Sequence, residues 1–335
     1  MSARTNISRI TLKTFLVATI FLCCSIGIGL AQLPVDFDAL DSPIIFQGDV
    51  KYGFRDPAAV YHDGTFYLYF TLSESAEDGG YYNMTAMSKS RDLRHWAFPR
   101  ILTPRDRTLN YSSPGNVIRY EGQWVICLQT YPTPNRETFG TSDSRIWIMR
   151  SDDLENWSEP EFLAVKGPDV PREDMGRMID PYLSEDAQEP GLWWCYYKQN
   201  GVSMSHSRDL KTWTYVGSKH AGENVTILRV DERYVMFHSP SNGIGVKWSD
   251  DPANWGEDAQ LLTLGQADWP WSQGRLTAAT VLDLTEDPQV GRYVMFFHGS
   301  SREGLAQQRA HGAGTMGIAW SEDLENWDWP GKSEE

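Results

Sequence analysis

A seven-residue pattern occurs five times in this 335-residue chain, and it constrains the fold more than any other feature. In each copy a serine stands two residues before an aspartate, and a tryptophan stands four residues after that aspartate. The copies are SRDLRHW (90–96), SDDLENW (151–157), SRDLKTW (207–213), SDDPANW (249–255) and SEDLENW (321–327). Ser and Asp side chains accept hydrogen bonds from nearby backbone N–H groups and so stabilise tight turns. The five copies of this turn signature therefore predict five similar structural units.

Strand patterns surround every copy of the turn signature. Two apolar stretches joined by a short polar turn come before it, as in residues 56–71, where Asp-Gly at 63–64 is typical of a hairpin turn. A third strand leads into the signature, and a fourth is expected to begin at its tryptophan. Four strands in each of five units, with little helix, predict an all-β fold, a five-bladed β-propeller with four-stranded blades. A β-helix would have shorter repeats, and a β-sandwich would not repeat five times.

The first 31 residues have the pattern of a signal peptide. Three basic residues precede an uncharged apolar run over 15–30, which ends in Gly-Leu-Ala at 29–31. We expect cleavage after Ala31, a secreted or periplasmic location, and no membrane association after cleavage. An uncleaved anchor is disfavoured because the run is shorter than the roughly 20 residues that a membrane span needs. Residues 32–50 are then a lead-in segment that adds one strand to close the ring, and 51–335 form the propeller domain.

The charge and the aromatic content narrow the range of partners. Asp and Glu number 45 against 30 Lys and Arg, a formal net charge of −15, which repels phosphate backbones and argues against a nucleic-acid partner. The chain also has 14 tryptophans. Indole rings stack on the flat faces of sugars, so this composition favours a carbohydrate partner.

Charged residues stand at the predicted starts of the blades. The first strand of a propeller blade lines the central channel, so we expect Asp56, Asp180, Glu223 and Arg275 to converge on one pocket. Asp56 precedes Tyr67 by 11 residues and Glu223 precedes Tyr234 by 11, which suggests equivalent positions on two blades. Clustered carboxylates repel one another, so at least one should have a raised pKa and hold a proton. One protonated and one ionised carboxyl group facing one cavity are what glycoside cleavage requires.

With these motifs the sequence resembles family 43 glycoside hydrolases, five-bladed propellers of the clan of arabinanases, β-xylosidases and arabinofuranosidases. The resemblance rests on Arg-Asp-Pro at 55–57, Ile-Asp-Pro at 179–181 and the later glutamate, and it covers about residues 45–329. It implies an inverting glycosidase in which Asp56 is the general base, Asp180 tunes pKa values and orientation, and Glu223 is the general acid. The sequence departs from the family after Glu223, where Asn-Val stands in place of the usual Gly-Pro.

Other residues are candidates for substrate or ion binding. Arg275 is expected either to bind substrate or to pair with the acids. Trp269 and Trp271, in a loop before the fifth blade, are expected to stack on a sugar, although two tryptophans in a Pro-containing loop could instead cap a blade interface. Phe54, beside the first motif, is a further substrate-binding candidate. No metal or cofactor is expected, apart from a water or cation in the channel near His298, and a buried structural histidine is the alternative there.

Three other functions are compatible with a propeller. A retaining fructan- or sucrose-type hydrolase would use the first Asp as nucleophile, but its motif is of the Asn-Asp-Pro-Asn type, which residues 55–57 do not match. A sialidase is disfavoured because the turn signature is one residue shorter than an Asp-box and lacks its glycine, and no arginine triad is apparent. A carbohydrate-binding propeller without catalysis is the third, and measured turnover on glycans would separate it from an enzyme.

Overall fold

The computed structural model describes residues 34–307 and 310–332. The predicted signal peptide, residues 1–31, lies outside the described residues. Helix is confined, within these ranges, to Arg302–Gln307, Ala310–Ala313 and the 3₁₀ turns Phe37–Ala39 and Arg172–Met175. None of the helices in the described part of the chain is long and apolar enough to cross a membrane.

In the described part of the chain, twenty-one strands form five antiparallel sheets, which are the blades. Blade 1 contains β2 (Tyr52–His62), β3 (Thr65–Ser75), β4 (Tyr81–Ser90) and β5 (Arg100–Ile101). Blade 2 contains β6 (Val117–Tyr120), β7 (Gln123–Gln129), β8 (Ile146–Ser151) and β9 (Glu161–Phe162). Blade 3 contains β10 (Ile179–Glu185), β11 (Trp193–Lys198), β12 (Val202–Ser207) and β13 (Trp213–Lys219). Blade 4 contains β14 (Glu223–Val230), β15 (Arg233–Ser239), β16 (Ile244–Ser249) and β17 (Gln260–Leu262). Blade 5 contains β18 (Arg275–Leu284), β19 (Arg292–Ser300), β20 (Thr315–Ser321) and β21 (Trp327–Asp328).

The five sheets form a closed ring, with β2, β6, β10, β14 and β18 as its innermost strands. Blade 5 closes the ring, because a strand from before blade 1, β1 (Ile44–Phe46), pairs with β20 beside β21. Ile44 faces Gly317 and Phe46 faces Met316 in this pairing. The predicted five-bladed propeller is confirmed, and so is the strand that the lead-in segment was expected to add.

The Ser and Asp side chains of the turn signature bind backbone N–H groups in every blade, as predicted. Within the described residues, the fourth strand begins at the signature tryptophan only in blades 3 and 5, and in the other blades it begins four or five residues later. In blade 2, Asp153 Oδ1 accepts the N–H groups of Glu155 and Asn156 at 2.9 and 2.7 Å, and Ser151 Oγ accepts the N–H of Asp153. The Trp157 indole then donates to the carbonyl of Leu154 at 3.2 Å. The same indole bond joins Trp96 to Leu93, Trp255 to Pro252 and Trp327 to Leu324, while the buried indole N–H of Trp213 has no partner among the described residues.

Each signature tryptophan packs against the second strand of the preceding blade. Trp96 lies edge-on to Phe296, Trp157 to Tyr69 and Trp327 to Phe237, with ring centroids 5.5–6.1 Å apart. Trp213 and Trp255 join the clusters that contain Cys127 and Tyr196 on the preceding blades. The five tryptophans therefore occupy equivalent positions, as predicted, and they hold neighbouring blades together by buried aromatic contact.

Candidate active site

All five innermost strands begin with the same backbone irregularity. One residue near each strand start has a positive φ, at Asp56 (47°), Ser113 (45°), Asp180 (51°), Asn224 (50°) and Ala278 (56°). In blades 1, 3, 4 and 5 the pairing with the second strand shifts register at this point. Such a bulge turns a side chain out of its regular alternation and is common beside active sites. Here it sets which residues face the centre of the ring.

A hydrogen bond to the preceding blade fixes four of these five residues. A side chain at the end of one blade's second strand accepts the N–H of the positive-φ residue in the following blade. The pairs are Thr71 with Ser113 (2.7 Å), Gln129 with Asp180 (2.6 Å), Ser239 with Ala278 (2.7 Å) and His298 with Asp56 (3.1 Å). Left-handed backbone costs about 1–2 kcal/mol in a residue other than glycine, and these bonds offset part of that cost.

The register that joins blades 1 and 4 differs from the one expected from sequence by one residue. Both hairpins have a two-residue turn. Phe66 in blade 1 and Tyr234 in blade 4 each belong to the second cross-strand pair counted from that turn, so Tyr234 corresponds to Phe66 rather than to Tyr67. Asn224 is therefore the counterpart of Asp56, and Glu223 is the counterpart of Arg55. By the same alignment Ser239 is the blade 4 counterpart of His298.

The structure nevertheless brings the three expected carboxyl groups together. Asp56, Asp180 and Glu223 come from blades 1, 3 and 4, and they line one cavity of about 130 Å³. Arg275 and His298 line the same cavity from blade 5. The pocket predicted at the blade starts is therefore present at the centre of the ring.

Asp56 lies in a buried setting with polar contacts. Its Oδ2 accepts a hydrogen bond from the Thr71 hydroxyl at 3.0 Å, and its backbone N–H donates to Nδ1 of His298. Burial raises the pKa of Asp56 above the usual value, and the Arg55 guanidinium and the Thr71 hydrogen bond oppose that rise. Repulsion from Glu223 raises the pKa further.

His298 is a neutral acceptor in this setting. Burial and the positive charges of Arg55 and Arg275 lower its pKa well below the usual value. A neutral imidazole has one acceptor nitrogen, and the bond from Asp56 uses Nδ1, so the proton is on Nε2. The Arg55 side chain, 3.4 Å from Nε2, then makes a contact there rather than a hydrogen bond.

Asp180 is a buried carboxyl group with a strongly raised pKa. The Ser113 hydroxyl donates to its Oδ1 at 2.6 Å. Burial, followed by repulsion from Glu223 and Asp56, raises the pKa of Asp180 to about 7. Near neutral pH a large share of the molecules therefore holds a proton on this side chain.

Glu223 and Arg275 form an ion pair at the edge of the cavity. Arg275 Nη2 donates to Glu223 Oε1 at 2.7 Å, and both side chains are a little over one quarter exposed. Arg275 Nε is buried and has no hydrogen-bond partner among the described residues. Of the two roles expected for Arg275, the structure shows the ion pair with the acids.

The structure does not bring the expected aromatic residues to the cavity. Trp269 stacks on Trp271 at 5.0 Å and on Phe297 at 5.9 Å, inside the core of blade 5. Phe54 stacks on Phe46, 5.2 Å away, in the core between blades 1 and 5. These three predicted substrate-binding rings instead pack against apolar cores. The loop that carries Trp269 and Trp271 folds back onto the second strand of blade 5, and Phe54 lies within β2 with its ring against Phe46 and Phe70.

Nine other residues complete the cavity wall, and sequence reasoning did not assign a site role to them. They are Arg55, Gln129, Tyr131, Phe139, Arg177, Ile179, Asn224, Thr277 and His311. Tyr131 and Phe139 belong to the insertion 131–143, and His311 belongs to the insertion 300–314. Each insertion joins the second and third strands of its blade, and no local sequence pattern shows which of its residues turn inward. Phe139 is 61% exposed and is the aromatic ring at the cavity mouth.

The donor set of the cavity does not form a recognisable metal centre. Within residues 34–307 and 310–332, no three His, Cys, Asp or Glu side chains lie close enough to hold a metal ion. His298, the candidate for holding a water or a cation, has its acceptor nitrogen bonded to the backbone of Asp56. In this structure the acceptor nitrogen of His298 therefore binds the backbone of the neighbouring blade.

The fold is shared with known glycoside hydrolase structures. No protein-family model and no curated protein matches the sequence. Among solved structures, an exo-1,5-α-L-arabinanase from a bovine ruminal metagenomic library is similar with a TM-score of 0.55 and 18% identity, over 82% of this chain and 95% of that one. The catalytic domain of a Coprinopsis cinerea α-L-arabinofuranosidase gives 0.60 and 14%, over 85% and 97%. A Podospora anserina α-L-arabinofuranosidase in complex with cellotriose gives 0.55 and 13%, over 87% and 94%. At these identities the likeness establishes the propeller fold.

Proposed function

We propose that this protein is a glycoside hydrolase that cleaves bonds in oligo- or polysaccharides. The observation that carries the proposal is the meeting of Asp56, Asp180 and Glu223, from three blades, in one cavity. Two of them have a raised pKa, so the group can contain an ionised and a protonated carboxyl at once. This is the chemical requirement of glycoside hydrolysis. The fold shared with an arabinanase and two arabinofuranosidases supports the same conclusion.

Asp56 acts as the general base in this proposal. The Thr71 hydroxyl occupies Oδ2 of Asp56, which leaves Oδ1 to accept a proton from a water molecule. The water oxygen bonds to the anomeric carbon while the bond from that carbon to the leaving oxygen breaks, so the configuration inverts. Arg55 favours the ionised form of Asp56 that this step needs.

Asp180 and Glu223 supply the proton for the leaving group. Burial and then repulsion from Glu223 and Asp56 raise the pKa of Asp180 to about 7, so Asp180 can hold a proton near neutral pH. Before substrate binds, Arg275 holds Glu223 and the proton is on Asp180. We propose that Glu223 delivers the proton to the leaving oxygen, with Asp180 as its source and as the group that orients it.

A panel of aryl glycosides and oligosaccharides tests this proposal. Arabinofuranosides and xylosides come first, since the similar structures include arabinan- and xylose-directed enzymes. We expect turnover with proton NMR showing the inverted anomer first. Glu223→Gln should slow substrates with poor leaving groups most, because activated aryl leaving groups need little protonation. Equal slowing of both kinds would place the acid elsewhere, and retention of configuration would make Asp56 a nucleophile.

Two further outcomes are informative. Saturable sugar binding without turnover on any substrate would favour a carbohydrate-binding propeller. A preference for sucrose or fructans with retention would favour the fructan-type enzyme.

We also propose that the protein is exported, with residues 1–31 removed. The support is the basic start, the apolar run and the small residues that end at Ala31. Mass spectrometry of the protein recovered outside the cytoplasm should find Gln32 at the N-terminus. A chain that retains its first 31 residues in the membrane fraction would contradict export.

A further inference from the structure

Three guanidinium groups line the candidate active site besides the three carboxyl groups. Arg55, Arg177 and Arg275 come from blade 1, from the segment before blade 3 and from blade 5. Arg275 pairs with Glu223. Among the described residues, neither Arg55 nor Arg177 has a carboxylate within ion-pair distance. Two cations of the cavity wall are therefore left without a direct anionic partner.

Both of these arginines are held in place by neutral groups. Arg177 Nε donates to the Gly140 carbonyl at 3.1 Å, its Nη2 donates to the Tyr131 hydroxyl at 3.3 Å, and its guanidinium lies 5.3 Å from the centre of the Tyr131 ring. Arg55 Nη1 donates to the His311 carbonyl at 2.9 Å. Several N–H groups of each guanidinium remain, in a fixed planar arrangement that suits carboxylate and sulfate oxygens.

His311 lies in the cavity wall with these arginines. It is stacked 4.8 Å from the Tyr81 ring, and its Nδ1 is buried without a hydrogen-bond partner in the described part of the chain. Burial and then the positive charges of Arg55, Arg275 and Arg177 lower the pKa of His311 well below its usual value. The same guanidinium groups would attract a negatively charged group on a ligand, in contrast to the net charge of −15 of the whole chain.

We propose that Arg177 and Arg55 select a sugar carrying a negative charge, either a uronic acid carboxylate or a sulfate ester. The inference rests on the proposed function, since it names the substrate class of the same cavity. A guanidinium forms bidentate bonds to both kinds of oxyanion, which makes the two substituents chemically equivalent for this site. Neutral pentosides, the substrates named for the similar structures, would leave both arginines without an anionic partner.

Binding of monosaccharides to the full-length protein tests the proposal without depending on turnover. The probes are D-galacturonate and D-galactose 6-sulfate, each compared with neutral D-galactose by calorimetry and by competition. We expect one or both anionic sugars to bind at least about 10-fold more tightly than galactose, because hydrogen bonds between charged partners are stronger than those to neutral groups. The two anionic probes identify which substituent fits. Equal or tighter binding of galactose would overturn the proposal.

Substitution of Arg177 distinguishes a role in sugar recognition from a structural role in holding the 131–143 insertion. Arg177→Gln should reduce the anionic-over-neutral affinity ratio about 10-fold, and Arg177→Lys, which keeps the charge, should restore part of it. The matched control is Arg136→Gln in the same 131–143 insertion, whose exposed side chain bonds only the Asp78 carbonyl. If Arg177→Gln weakened galactose and the anionic sugars equally, or only lowered the melting temperature, the arginine would be structural.

Failure of this inference is distinguishable from failure of the proposed function. Turnover of neutral glycosides with no preference for charged ones would overturn the inference and leave the hydrolase proposal intact. Selective binding of charged sugars with no turnover on uronic acid or sulfated glycans would support the inference and contradict the hydrolase.

Discussion

At the scale of single residues, Asp56 is where chemistry and fold can be separated most directly. Asp56→Asn keeps the shape of the side chain and still accepts the Thr71 hydroxyl, but it cannot take a proton from water. We expect turnover to fall by at least about 100-fold while circular dichroism and the melting temperature are preserved. The control is Asp63→Asn in the exposed hairpin turn of the same blade, which should stay within twofold of the parent. Residual activity above one tenth would remove Asp56 from the base role.

Asp180 connects the site to the stability of the fold. Its pKa is about 7 in the folded protein and about 3.9 in an unfolded chain, so folding favours its protonated form. A carboxyl group with a raised pKa stabilises the fold fully below the unfolded pKa, and this contribution is lost as pH rises from about 4 through about 7. Asp180→Asn stays neutral, so at pH 8 it should exceed the parent in unfolding free energy by about 2–4 kcal/mol.

Chemical denaturation at several pH values measures that difference. The two proteins should converge near pH 4, where the parent side chain is protonated, and diverge towards pH 8. The variant should also be catalytically impaired, so that stability and activity move in opposite directions. Parallel stability curves across this range would mean that Asp180 is ionised in the folded protein at neutral pH.

At the scale of elements, the turn signature links each blade to the one before it. Tyr69 of blade 1 reaches across to blade 2, where its hydroxyl donates to the Leu154 carbonyl at 2.6 Å and its ring meets Trp157. Tyr69→Phe keeps the ring contact but leaves a buried carbonyl without its partner, which should cost about 1–3 kcal/mol. Tyr67→Phe is the matched control, because its hydroxyl has no hydrogen bond within the described residues, and it should cost less than about 0.5 kcal/mol. Equal costs would show that the hydroxyl bond does not contribute.

At the scale of the whole molecule, the ring depends on one short strand from before blade 1. β1 covers β20 of blade 5, and Phe46 packs against Phe54 and Phe70 of blade 1. A chain that begins at residue 48 loses this strand and exposes an edge and apolar core together. We expect it to melt at least about 5 °C lower than a chain that begins at Pro34, and to aggregate more readily on heating. Unchanged melting would mean that β21 alone closes the ring.

The sequence by itself determined the number of blades, because the device that marks each blade is local. A serine, an aspartate and the N–H groups that they bind all lie within six consecutive residues, so the turn can be recognised in the sequence wherever it occurs. Asp56 and Asp180 were identified for the same reason, since an acidic residue before a proline marks two strand starts. The correspondence between positions on different blades does not follow from a local pattern. It is set by a left-handed residue that a side chain of the neighbouring blade holds in place. The sequence pattern aligned Glu223 with Asp56, which is one position away from its actual counterpart, Arg55.

Only the tertiary structure decided what surrounds the carboxyl groups. Arg55 meets the carbonyl of His311, 256 positions further along the chain, and Arg177 meets Tyr131 on an insertion of blade 2. Trp269 and Trp271 show the reverse case, since an aromatic loop next to a strand start folded into the core instead of over the cavity. The physical reason is the same in each case. Insertions have no repeat to define their path, so their side chains are positioned by contacts between blades, and those contacts exist only once the ring has closed.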